Sequence, residues 1–234
     1  MNDLDTLHRM GGISTDTIRK ISNLGFDGIA IERILLGPGS PPSAPVLVDN
    51  CFFNKCVVQG EFRITHGAIV SDVCFNDVRS PDLMTISALA VLDRVVVKGG
   101  RNCAGLWVKP PEAMPENVGE NLKKWKERYD DSIHLMLDFS DFKGRQVEVL
   151  GLPLDKLKWN SELHIPMVRA RFGKSVWKDL EFPLNSFWFM RFKRLELFDV
   201  SEGVFSLPSK SDKKYAQTMS EMQILIEGGF LRPS

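Results

Sequence analysis

The chain has 234 residues, 43% of them apolar and 26% charged, which is enough to bury one large core or two small ones. Lysine plus arginine and aspartate plus glutamate number 30 each, with 11 of each sign through Pro110 and the remaining 19 of each beyond it. That balance excludes a global field that would draw in nucleic acid or an anionic membrane, and no apolar run approaches the ~20 residues that span a bilayer.

Taken in chain order, the first segment, Met1-Asn2-Asp3-Leu4-Asp5, is acidic with no apolar run behind it, so no signal peptide is expected. Ser14 or Thr15 then caps a predicted helix to Asn23, with Ile18, Ile21 and Leu24 at helical spacing and Gly25 as its stop. A strand is predicted over 28–36. The words His8-Arg9-Met10-Gly11-Gly12-Ile13 and Gly25-Phe26-Asp27-Gly28-Ile29-Ala30 together resemble the last β-α-β unit of a phosphate-binding TIM barrel of the thiamine-phosphate-synthase kind. The match lacks the rest of the barrel and every catalytic residue. It therefore implies a local β-α-β unit or a capping helix, and no site. Leu36 to Pro45 is dense in glycine, serine and proline and reads as a surface loop, with a short hinge as the alternative.

Val46 to Lys98 is the least helical stretch. An Asp precedes a compact apolar run at Asp27, Asp49, Asp72 and Asp93, at intervals of 22, 23 and 21 residues. Near-constant spacing of this size is the mark of stacked repeats. It predicts that the runs holding Ile29, Phe53, Phe75 and Val96 lie over one another. An ordinary α+β sheet remains the alternative. Cut in fives from Val46, the first slots are Val46, Cys51, Cys56 and Glu61, and the third slots are Val48, Phe53, Val58 and Arg63. From Val46 to Gly60 this resembles the pentapeptide-repeat family. The resemblance implies a right-handed parallel β-helix with those two slots pointing inward. The pattern stops at Glu61 and Arg63.

Asp77 to Asp82 is a predicted turn, and Met84 to Val97 a nearly continuous apolar run that Gly99-Gly100 ends. Leu106 to Val108 is one more short strand. Pro115 to Tyr129 is a predicted helix with Leu122, Trp125 and Tyr129 on one face and lysines interleaved with glutamates on the rest. Strands are predicted over 133–139, 145–150, 163–172 and 187–198, the last with a bulge near Arg191. A final helix runs from Asp212 to Glu227, capped by Ser211, with Tyr215, Met219, Met222 and Ile226 on its face. The tail Phe230-Leu231 is expected to dock on the sheet. The expected fold is therefore a β-rich α+β protein. An irregular parallel β-solenoid-like N-terminal half covers 1–111, and an α+β half with a terminal helix covers 112–234.

Catalytic, metal and nucleotide motifs are not found, so no catalytic residue, metal or cofactor is assigned. The four histidines are scattered. Cys51, Cys56, Cys74 and Cys103 sit among apolar residues and read as packing groups in a reducing, cytosolic compartment. The candidate binding residues are Arg169, Arg171, Arg191 and Arg194, which would form a positive stripe on a sheet face, with Trp177 beside them. The expected role is a non-enzymatic interaction protein, an antagonist or scaffold, that binds a protein partner through an exposed sheet face. The alternatives are a carbohydrate-active β-helix enzyme using paired acids such as Asp138 and Asp141, or anion or nucleotide binding at the arginine stripe.

Overall fold

The computed structural model describes residues 13–14, 20–37, 45–112, 116–144, 146–169, 180, 182–183, 186–228 and 231. Short strands come in successive traverses. The first holds β1 (Ile13–Ser14), β2 (Lys20–Ser22), β3 (Gly25–Asp27) and β4 (Ala30–Ile31). Then come β5 (Ile34–Leu36), β6 (Val46–Asn54) and β7 (Val57–Val58), followed by β8 (Phe62–Ile64) and β9 (Ala68–Asn76). The next two traverses are β10 (Met84–Ser87), β11 (Val91–Asp93) and β12 (Val95–Lys98), then β13 (Leu106–Lys109), helix α1 (Glu116–Asp130) and β14 (Leu137–Asp138). After β15 (Val147–Leu150) and β16 (Leu157–Lys158), the chain closes with β17 (His164–Val168), α2 (Phe187–Leu197), β18 (Glu202–Ser206) and α3 (Tyr215–Glu227).

These strands alternate between two sheets. The first is ordered β1-β5-β8-β10-β13-β15-β18-β17. The second is ordered β16-β14-β12-β9-β6-β2, with β3 also on β6 and β11 on β9, and β4 pairs with β7 apart from both. Pairing is parallel until β15, which takes β18 antiparallel, and β18 takes β17 antiparallel. Both sheets continue through residue 112, because β13 pairs with β15 and β12 with β14 across the α1 insertion.

Positions 22 residues apart, or 27 to 28 across the longer interval, meet in register. Phe26, Phe53, Phe75 and Val97 form one inward row, in place of the expected Ile29, Phe53, Phe75 and Val96; Val96 lies instead beside Cys74 on the outer face. The Asp spacing also resolves differently. Asp49 and Asp93 flank Ser71 in one row, Asp72 falls one position later, and Asp27 sits beside Asn54. The longer interval has a local cause. Leu36 and Val46 pair with Ile64 and Ala68, so nine residues of sequence separate the paired positions where three separate them in the next traverse.

Corners are made by left-handed residues. Asn23, Asn50, Asp72 and Arg94 have positive φ in equivalent positions, and five residues later so do Gly28, Lys55, Asp77 and Gly99. Asn and Asp tolerate this region because their short side chains bond locally. A left-handed turn every five residues is why inward positions recur in fives. The slots Val46, Cys51 and Cys56, and Val48, Phe53 and Val58, are all buried. At 62–64 the inward residues become Phe62 and Ile64, which is why the register of fives fails at Glu61 and Arg63.

The main core fills the space between the sheets, and α1 lays Trp125 against it. A second core lies on the other side of the first sheet. There Leu150, Ile165, Met167 and Phe205 meet Trp188, Phe192 and Leu195 of α2, and Leu225 of α3. Leu231 is buried and bridges to Met167, as the docked tail requires, while Phe230 lies outside the described residues.

Several expectations are corrected. The helix predicted up to Asn23 is instead β1 and β2, with 15–19 outside the described residues; pairing of Ile21 with Val48 outweighs the helical spacing. The strand predicted over 28–36 is broken into β4 and β5. The 187–198 strand, with its bulge, is helix α2. Ser186 caps it by accepting from the Phe189 N–H, and Trp188, Phe192 and Leu195 bury one helical face. The run over 133–139 forms a strand only at 137–138. Helix α3 starts at Tyr215 after Lys214, without the Ser211 cap, and buries Thr218, Glu221 and Leu225 more deeply than the expected face. Among the described residues no helix is long and apolar enough to cross a membrane.

Candidate interaction surfaces

The arginines singled out from the sequence are not on one sheet face. Arg169 follows β17 and pairs with Asp199 at 2.7 Å, holding that carboxyl below its usual range. Arg191 and Arg194 lie one turn apart on α2, and Arg171 and Trp177 fall outside the described residues. Arg194 turns inward. Its Nε donates to the buried Glu148 of β15 at 2.9 Å, and its guanidinium lies 4.6 Å from the Trp107 ring and 5.4 Å from the Phe198 ring. Lys109 lies over the same indole at 4.1 Å and pairs with Glu112. Arg191 stacks on Phe187 at 3.7 Å, and burial pushes its pKa down. These residues dock α2 on the first sheet through ring faces and one carboxylate.

The second sheet offers a different surface. Its outer side carries rows of paired polar groups. Asn50 donates to Asn23 at 2.7 Å. Asn54 donates to Asp27 at 2.5 Å and Asn76 to Asn54 at 2.6 Å. Arg94 gives two bonds of 2.6 Å to Asp72, which holds that carboxyl below its usual range. Between these rows runs an apolar one, in which Phe52 pairs with Cys74 and Cys74 with Val96. Phe52 is 42% exposed, and Val57, just past the Lys55 corner, is 43% exposed. The row is set by sequence. The alternation of β6 puts Val48, Cys51 and Phe53 inward, so Phe52 must point out.

Of the acids considered for glycoside cleavage, Asp138 is held by its own neighbours. Burial pulls Asp138 upward, but bonds from Ser140 at 2.7 Å and Lys158 at 2.9 Å outweigh it and hold the carboxyl below its usual range. A general acid in glycoside cleavage needs the opposite shift. The thiols are equally quiet. Burial raises Cys51, Cys56 and Cys74, and burial together with Asp77 raises Cys103 to about 11.

Comparison with protein-family models, with curated proteins and with solved structures finds no match. The surface therefore rests on its own geometry. Sequence reading did not single out Phe52, because attention went to the two inward slots on either side of it, Cys51 and Phe53. The signal that finds it is the slot assignment itself, since the second place of each five is outward.

Proposed function

We propose that the chain is an irregular parallel β-solenoid acting as a non-enzymatic interaction protein, an antagonist or scaffold subunit of the cytosol. It binds another protein through the outer face of its second sheet. The observation that carries this reading is the exposed Phe52 at the head of the row Phe52–Cys74–Val96, framed by polar side chains already bonded to one another. An aromatic anchor on a rigid platform loses little freedom on binding, and such anchors carry most of an interface's energy. Parallel pairing at intervals of 22 and 27 residues supports the solenoid, as does the resemblance of Val46 to Gly60 to pentapeptide repeats.

The test is affinity capture from the source cell with the wild-type chain and with Phe52→Arg, which changes only an outward side chain. One stoichiometric protein retained by the wild type and lost with the variant is the expected result. No such partner, or glycan turnover in an activity panel, overturns the reading.

A further inference from the structure

Glu148 lies near two guanidiniums but bonds to one. It is 5% exposed and accepts from Arg194. Arg191 is near enough to feel the charges of Glu148 and Arg194, yet it has no ion pair or hydrogen bond with any described residue. Its Nε is enclosed without an acceptor, while the residue as a whole is partly exposed, so the terminal nitrogens are the end that reaches water. The ring of Phe187 lies beneath its guanidinium carbon at 3.7 Å. Nearby, Lys109 answers Glu112 and Arg194 answers Glu148, which leaves Arg191 as the surplus cation among the described residues. Beside it, Met190 and Leu197 are exposed seven positions apart on one side of α2, with Lys193 paired to Glu196 between them.

We propose that Arg191 binds a carboxylate presented by an acidic, leucine-bearing segment of a partner protein, with Met190 and Leu197 receiving the segment's apolar side chains. A stacked guanidinium offers two in-plane donors that match the two oxygens of a carboxylate. One surplus positive charge neutralises one carboxylate; a phosphate dianion would leave excess negative charge close to Glu148. This site is separate from the Phe52 face and stands without it.

The experiment is a calorimetric titration with a synthetic acetyl-Leu-Glu-Glu-Leu-amide peptide, its Gln-for-Glu analogue and inorganic phosphate. The proteins are the wild type, Arg191→Met, Arg191→Lys and Lys193→Gln. The acidic peptide is expected to bind the wild type and to bind Arg191→Met about tenfold more weakly. The Gln analogue is expected to lose a similar amount on the wild type. Arg191→Lys keeps the charge and the fold but lacks the fork, so it also weakens binding, whereas Lys193→Gln changes affinity less than about threefold. Equal losses in the Arg191 and Lys193 variants, full affinity in Arg191→Lys, phosphate competing as well as the peptide, or no binding of the acidic peptide would each overturn the proposal.

Discussion

The ring of Phe53 lies on that of Phe75, 22 residues further along, with centroids 5.0 Å apart and planes 21° from parallel. Phe26 extends the stack on the other side at 4.9 Å. Each ring is buried, so removing the middle one opens a cavity between two neighbours that the parallel strands hold in place. Phe53→Ala is expected to cost about 3–5 kcal/mol, and Phe53→Leu distinctly less, in urea denaturation followed by far-ultraviolet circular dichroism.

That stack also marks how far the sequence could be read. The near-constant spacing located the right neighbourhood, since Phe53 and Phe75 were both placed in stacking runs. It used Asp as the marker, however, and the invariant is the left-handed corner, filled by Asn23, Asn50, Asp72 and Arg94 in turn. Residue type varies there because only the backbone conformation is shared. Helix α2 was illegible for another reason. Phe187, Trp188, Phe189 and Phe192 are strand formers by composition, and what makes them helical is the Ser186 cap and the apolar cleft beside β18. Arg191 and Arg194 were named as binding residues, but their division into a bonded and an unbonded guanidinium depends on Glu148, 46 residues before Arg194.

The corner ladder makes a prediction of opposite signs. Lys55 holds φ +51° where Gly28 and Gly99 stand in equivalent positions. Lys55→Gly relieves that strain and is expected to gain about 0.5–1 kcal/mol, measured by the same denaturation. Gly99→Ala would set a Cβ 2.5 Å from the Cys103 sulfur and 2.8 Å from the Asp77 carboxylate, at φ +145°. It is expected to cost about 1–3 kcal/mol.

Breaking the buried pair under α2 has a larger effect than its single bond suggests. Glu148→Gln leaves Arg194 between Trp107 and Phe198 without its bonded carboxylate, beside a second unanswered guanidinium. The expected loss is about 3–5 kcal/mol. Glu148→Gln combined with Arg194→Met is expected to recover part of it, because the Arg194 charge is then gone, while Arg191 still loses the nearby Glu148 charge. A double-mutant cycle on thermal midpoints checks this.

His164 sets a pH dependence. It is buried edge-on to Phe139 with Nδ1 unpartnered, and burial pushes its pKa down to about 4. The fold therefore favours the neutral ring. Its contribution is present above the unfolded value of about 6.5 and is lost as pH falls toward 4, with about 2 kcal/mol gone by pH 5. His164→Phe should flatten the stability curve between pH 7 and pH 5 by that amount, and an unchanged slope would show that another group governs it.

The reversal of direction at β15 and β18 limits how this protein can grow. A sheet whose last neighbours run head to tail presents no matching template for one more copy of the unit before it. Lengthening by internal duplication, in evolution or in the laboratory, must therefore enter upstream of Val147, because the antiparallel pair of β17 and β18 closes the parallel run of the first sheet at that end.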